Sequence, residues 1–247
     1  MTPIDRVAVV IPVHNEEEHL ERALSGVEAA ASAVQLVQPG TDVTVLVVLD
    51  SCTDGSAEIT SGFTTRNRCF SAHTVDFRSV GRSRRSGTWE VLGAANDRSP
   101  DDAAGLWLAN TDADSVVPAN WLVGQLALAA AGADAVLGSV EMDPAGVAPE
   151  LLSRWQSLHL FEEDHTHVFG ANFGIRASAY LVAGGFPRYL VHEDRVLAAR
   201  LREKGFDVRA TDTVRVRTSG RTEARAPEGF GGYLRMLGMD PELTPER

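Results

Sequence analysis

Short runs of aliphatic and β-branched residues alternate along this chain with stretches in which apolar residues recur every three or four positions. Val7-Ala8-Val9-Val10-Ile11 is apolar at every position and stops at Pro12, the pattern of a strand buried on both faces. From Glu16 to about Val37, Leu20, Ala23, Leu24 and Val27 share one helical face, and Pro39-Gly40 ends the pattern. Val43 to Leu49 is a second buried run, and Asp54-Gly55-Ser56 opens a short helix. A weaker third strand is expected from Cys69 to Phe77, a helix from Gly81 to Asn96, and a fourth strand from Gly105 to Ala109. This β-α-β-α-β-α-β order predicts a mostly parallel central sheet flanked by helices, with right-handed crossovers.

The second half is less regular. A helix and then a strand are expected between Trp121 and Val140, a loop from Pro144 to Pro149, and a helix from about Glu150 to Glu162. The glycines of Phe169-Gly170-Ala171-Asn172-Phe173-Gly174 read as a loop, followed by a short helix at Ala177 to Ala183. Val196 to Lys204 is amphipathic and stops at Gly205. Two strands, near Val208 and from Thr213 to Arg217, and a helix near Tyr233 complete the pattern.

Composition narrows the partners. With 247 residues, 44% hydrophobic and 23% charged, the chain suits one globular domain or two closely fused halves. A net charge of −11 argues against nucleic acid or an anionic membrane as the main partner. It leaves room for one anionic small ligand, if metal and arginines offset the field locally. Cys52 and Cys69 form neither a disulfide framework nor a zinc-type cluster, which suits a reduced cytoplasmic setting. The N-terminus has no leader pattern, and the weakly polar stretch Trp121 to Val140 carries Gln125 and Asp134, so no transmembrane segment is expected.

The sharpest chemical signal is Asp112-Ala113-Asp114, at the end of the fourth apolar run. Alternate carboxylates at the mouth of a buried strand can hold a hard cation, Mn²⁺ or Mg²⁺, against a phosphate. The same pair also suits a solvated turn that opens a helix. The turns after strands one, two and four carry Pro12-Val13-His14-Asn15-Glu16, Asp50-Ser51-Cys52-Thr53-Asp54 and Thr111-Asp112-Ala113-Asp114. A parallel sheet brings all three to its carboxyl edge, where ligands bind in such folds, and that convergence favours a site over a bare turn.

VAVVIPVHNEEEHL, VTVLVVLDSCTDGS, LWLANTDADS and GGFPRYLVHEDRVLAARLREKGF stand in the order and spacing of the family-2-type, A-fold inverting glycosyltransferases. The resemblance covers most of the chain. It implies a single α/β, A-type glycosyltransferase fold with a Rossmann-like sheet. Residues 1–115 would form the nucleotide-sugar-binding half, and residues 116–247 a smaller acceptor-binding half carrying the catalytic base, fused into one globular domain. It further implies metal-dependent transfer of a hexosyl group from a nucleoside-diphosphate sugar, UDP-linked by preference, to a small or lipid-linked hydroxyl acceptor.

By this resemblance Asp194 of the Glu193-Asp194 pair is the general base, with the helix-dipole role of an N-terminal acid as its plain structural reading. Asp114 ligates the cation, and Asp112 shares that task or reaches sugar and ribose hydroxyls. Pro12, His14 and Glu16 surround the base and ribose, and Asp50 accepts from the nucleobase imide. Ser51 stands where the family often has a second acid. Arg82 and Arg84 match a segment that approaches the nucleotide, or form with Arg85 a basic, solvated helix start. Arg217 and Arg221 match a loop that folds over the diphosphate. His165 and His167 read as loop histidines, with a metal or acceptor contact as the alternative. The Gln-x-x-Arg-Trp motif of processive membrane synthases is absent, since the only Arg-Trp pair, Arg154-Trp155, precedes Glu193-Asp194.

Two other functions fit an α/β nucleotide site. A sugar-phosphate nucleotidyltransferase would carry a glycine-rich, basic loop where this chain has Glu16-Glu17-Glu18. A catalytically inactive nucleotide-sugar-binding module would keep the acids but show no turnover.

Overall fold

The apolar runs of the first half all form strands in the computed structural model, which describes residues 2–97, 99–159, 161–187, 192–222 and 230–239. In chain order the elements are β1 (Arg6–Val13), α1 (Leu20–Val37), β2 (Asp42–Asp50), α2 (Ser56–Arg66), β3 (Phe70–Val75), α3 (Val80–Ala94), β4 (Leu106–Asn110) and β5 (Ser115–Val116). They continue with α4 (Trp121–Ala130), β6 (Ala135–Met142), α5 (Pro149–Leu158), β7 (Phe173–Arg176), α6 (Ala177–Val182), α7 (Glu193–Glu203), β8 (Val208–Thr218) and α8 (Phe230–Met239). The strands make one eight-stranded sheet in the order β3-β2-β1-β4-β7-β6-β8-β5. The first four pair in parallel, and only β7 and β5 run against their neighbours.

Because β1 is buried from Val7 to Val13, alternate side chains feed two separate layers. Val7, Val9, Ile11 and Val13 pack with Leu20, Leu24 and Val27 of α1, Phe63 of α2 and Trp121 of α4. On the other face Ala8 packs with Leu92 of α3, Tyr180 of α6 and Leu197 of α7. A smaller cluster, Met142, Trp155, Leu234 and Leu237, joins α5 and α8 to the end of β6. No helix among the described residues is long and apolar enough to cross a membrane.

Four features depart from the sequence pattern. The stretch expected as a glycine loop contains β7, which lies between β4 and β6 and is antiparallel to both. Gly174 is a strand residue there, and a Cβ at its position would collide with the Gln125 amide and the Trp107 ring, so the glycine serves close packing and not a ligand. β8 is one continuous strand where two were expected, with a register shift between Gly138 and Val140 on its partner β6. Glu16 to His19 form a turn ahead of α1, and α5 stops at Leu158.

Asn172 locks that irregularity. Its buried amide donates to the carbonyls of Ser139 (2.9 Å) and Val214 (2.8 Å) and accepts from the Trp121 indole N–H at 2.9 Å. Replacing it by alanine leaves three buried polar groups without partners, each costing about 1–3 kcal/mol when unsatisfied. Asn172→Ala is expected to lower stability by about 3 kcal/mol, read as a reduced urea midpoint with an unchanged m-value.

Candidate functional site

β1, β2 and β4 end side by side, because Val13 pairs with Leu49 and Val10 with Asn110. The turns beyond them interlock. A His14 ring nitrogen lies 2.6 Å from the Asp50 carbonyl, the Thr53 amide donates to Asn15 Oδ1 at 2.7 Å, and the Glu16 amide donates to the Ser56 hydroxyl at 2.9 Å. Pro12 is buried inside β1, opposite Val48. Asp54 accepts from the amides of Ser56 and Glu17, so its engagement is with the chain itself. Asn15, Ser51 and Arg78 have φ values of 54°, 52° and 49° at the ends of β1, β2 and β3, and His192 has 61° just before α7. Left-handed backbone at non-glycine residues costs of order 1–3 kcal/mol each, and such strain gathers where loops are shaped for a task.

Asp50 organises one side of this edge. Its Oδ1 accepts from the amides of Phe77 (2.7 Å) and Arg78 (2.8 Å), while the Ser51 hydroxyl 3.2 Å away lies closer to Asp76 Oδ1, at 2.5 Å. Its Oδ2 accepts from the Ser79 amide (2.9 Å) and the Ser83 hydroxyl (2.7 Å). Burial works to raise its pKa, but the Ser83 hydroxyl and the three amides outweigh that and hold the carboxyl below its ordinary value. About four lone-pair sites are available on a carboxylate, so these donors fill them. Asp50, expected from the sequence to accept from a nucleobase imide, thus already accepts from the loop that leads into α3. Arg82 is exposed, and its guanidinium covers the Phe77 ring at 4.3 Å on the same loop.

Five acids gather at the carboxyl end of β4, together with two arginines. Arg221, just beyond β8, donates to both oxygens of Glu16 (2.8 and 2.5 Å) and lies 2.8 Å from Asp114 Oδ2. Arg84 of α3 lies 2.6 Å from Asp112 Oδ1 and pairs also with Glu193. Burial opposes charge on Arg84, but the carboxylates of Glu193, Asp112 and Asp194 outweigh it and raise its pKa. Both terminal nitrogens of Arg84, whose segment was expected to approach the nucleotide or to form a solvated helix start, thus pair with carboxylates of the chain. Asp194, half-buried, accepts from the Arg195 amide at 2.7 Å in the first turn of α7. Residues 188–191 of the motif that contains Glu193-Asp194 lie outside the described residues.

The remaining candidates are at the margin. Arg217 is exposed and donates to Glu141 at 2.8 Å, and it borders a cavity of about 70 Å³ against Asp114, where His19 and Arg22 also lie. Sequence reading missed His19, although it lies within VAVVIPVHNEEEHL, and Arg22, which lies two residues beyond that block. It also missed Arg85, expected to be solvated, which donates to the carbonyls of Gly184 (3.2 Å) and Phe186 (2.7 Å). His165 is buried with one ring nitrogen 3.4 Å from the Thr211 carbonyl, and His167 leans on His159 with centroids 4.8 Å apart. Among the described residues no three His, Cys, Asp or Glu side chains are arranged to hold a metal. Asp112 and Asp114 nonetheless suit a hard cation that takes one or two carboxylates and completes its shell from water and substrate phosphate. The Arg221 guanidinium beside Asp114 and Glu16 marks a place where positive charge is already accommodated.

Burial pushes the Asp114 carboxyl up to about 7; Arg221 pulls it down, while Asp112 and Glu16 push it further up. In the unfolded chain it titrates near 3.8. Folding therefore takes up a proton between those values, so stability falls as pH rises from about 4 to about 7 and stays lower above. Asp114→Asn is expected to gain stability over the wild type at pH 8 and less at pH 5, measured by urea denaturation in EDTA.

Residues 8–181 match the family model "Glycosyl transferase family 2". The chain is 26% identical over 190 residues to the glycosyltransferase AglE of Haloferax volcanii, covering 75% of this chain and 57% of that protein. The mannosyltransferase PcManGT of Pyrobaculum calidifontis, solved with GDP-Man and Mn²⁺, is similar at TM-score 0.63 and 18% identity, over 96% of this chain and 61% of that one. TarS of S. aureus (residues 1–349), solved with UDP, is similar at TM-score 0.62 and 13% identity, over 94% of this chain and 64% of that one. This chain thus spans less than two thirds of the length of each of these three proteins. The two solved structures share the α/β A-type glycosyltransferase fold seen here. On the family match, which covers well over half of its residues, the chain belongs to glycosyl transferase family 2.

Proposed function

We propose that this protein transfers a hexosyl group, with inversion, from a nucleoside-diphosphate sugar to a hydroxyl of a small or lipid-linked acceptor. The donor is UDP-linked, and Mn²⁺ or Mg²⁺ assists. The observation that carries this reading is the meeting of Glu16 and Asp114 on the Arg221 guanidinium at the carboxyl edge of the sheet, with Asp112 on that of Arg84. Family membership supports it, as do the UDP on TarS and the GDP-Man and Mn²⁺ on PcManGT.

Asp114, with Asp112, would hold the cation, which when bound offsets charge on the departing diphosphate. Pro12, His14 and Glu16 line the base and ribose side. Asp50 shapes the base pocket through the amides of residues 77–79, with Arg82 on Phe77 as its rim. Arg221 releases the carboxylates and turns to the diphosphate oxygens, for which its planar fork is suited. Arg217 and Arg22 add positive charge beside Asp114, and His19 lines the same cavity.

Asp194 accepts the proton of the acceptor hydroxyl. The acceptor oxygen forms a bond to the anomeric carbon as the bond from that carbon to the β-phosphate oxygen breaks. The electron pair of the broken bond leaves on the nucleoside diphosphate, and a single displacement inverts the centre. A general base contributes typically about 10²–10⁴-fold.

Two measurements test this reading. In a thermal-shift panel of nucleoside diphosphates with and without Mn²⁺, UDP is expected to stabilise most and only with metal, by about 2.7 kcal/mol at ~100 times Kd. Arg221→Ala should weaken that shift, and the absence of any metal-dependent shift in the wild type overturns the proposal. Asp194→Asn should keep the shift while losing turnover by about 100-fold or more. Unchanged turnover removes Asp194 from the base role.

A further inference from the structure

We propose that Arg84 is a positioning residue that aligns Asp194 by tying the first turn of α7 to Asp112. The proposal rests on the transferase reading above. Arg84 is buried, with a side-chain exposure of 2%, and Glu193 beside it has 5%. One end of the guanidinium fork pairs with Glu193 and the other with Asp112. Its Nε has no partner among the described residues, so those two carboxylates fix its orientation.

A buried ion pair is a weak source of stability, because desolvation of the charges offsets their attraction. What a planar, bidentate fork does supply is direction. Glu193 precedes Asp194 by one residue at the start of α7, behind the left-handed His192. With Glu193 drawn inward, Asp194 occupies the half-buried position of the same turn. The surroundings are shaped to the guanidinium. A Cβ on Gly170 would lie 2.7 to 2.9 Å from three of its atoms, and the Phe186 ring centroid is 5.6 Å from its central carbon.

The next residue of α3 works on the same stretch. Arg85 holds the carbonyls of Gly184 and Phe186, while Arg84 holds Glu193. Consecutive arginines thus anchor both ends of the 184–193 stretch that leads into α7. Through Asp112 the anchor is shared with the donor side, so the base and the donor-side acid are referred to one rigid group.

The test compares Arg84→Met, Arg84→Lys, Glu193→Gln and the double variant Arg84→Met/Glu193→Gln. UDP-glucose, UDP-galactose and GDP-mannose serve as donors with Mn²⁺, and nucleotide release is followed with whichever the wild type hydrolyses fastest. UDP·Mn²⁺ affinity and the urea midpoint are measured alongside. Arg84→Met is expected to lower kcat by about 100-fold, as a misplacement of about 1 Å can, with little change in KM or UDP affinity. Arg84→Lys should recover part of the rate. The double variant leaves no unpaired buried charge at Glu193, so it should regain stability while kcat stays low, and it decides the matter if Arg84→Met does not fold. Recovery of kcat together with stability would show a merely structural bridge and overturn the proposal. So would a loss of UDP affinity in proportion to the loss of rate, which would make Arg84 a donor contact. Failure of the wild type to bind UDP·Mn²⁺ or to hydrolyse any of the three donors would strike the transferase reading instead.

Discussion

Acids packed together beside a hydrophobic sheet must be neutralised, and that requirement governs the carboxyl edge of this protein. Glu16, Asp112, Asp114 and Glu193 come from three separate stretches of chain and share two guanidinium groups, those of Arg84 and Arg221. The two arginines differ in kind. Arg84 is enclosed and held by a glycine at close range, so it acts as part of the frame. Arg221 has a side-chain exposure of 27% and follows the last strand, so in the proposed reaction it is the one that yields its carboxylates to a metal and turns to the diphosphate.

Asp50 is a second centre of order on the same edge, and it uses hydrogen bonds where the others use ion pairs. Its carboxylate gathers the amides of residues 77–79 and the Ser83 hydroxyl, which closes the loop between β3 and α3. That loop leads into α3, which carries Arg84 and Arg85. One helix therefore links the proposed base pocket at its start to the proposed catalytic base at α7. The left-handed residues Asn15, Ser51, Arg78 and His192 mark the four places where the backbone bends to meet this arrangement.

Much of this was legible in the sequence. Runs such as Val7 to Ile11 and Val43 to Leu49 can only be buried on both faces, and the polar residues that end them must then meet at one edge. Asp112-Ala113-Asp114 and Glu193-Asp194 drew attention through spacing, and the structure brings Asp112, Glu193 and Asp194 to Arg84 and Asp114 to Arg221. β7 was not legible, because its Gly174 answers to Gln125 and Trp107, and Gly170 ahead of it to Arg84, residues far away in the chain. For Arg84 itself, one arginine among three in four positions gives no sign of which will turn inward. The acceptor capacity of Asp50 was equally hidden, since its donors are backbone amides about 27 residues away.

Local pattern, then, determined the α/β order, the buried strands and the edge at which chemistry collects, because burial periodicity and chain punctuation act over a few residues at a time. Partnership belonged to the tertiary structure. Which arginine is frame and which is exchangeable, which glycine admits a side chain, and which carboxylate keeps a free oxygen all depend on groups brought together from distant stretches. A charged side chain in water has many possible partners, and only folding leaves it with one or two.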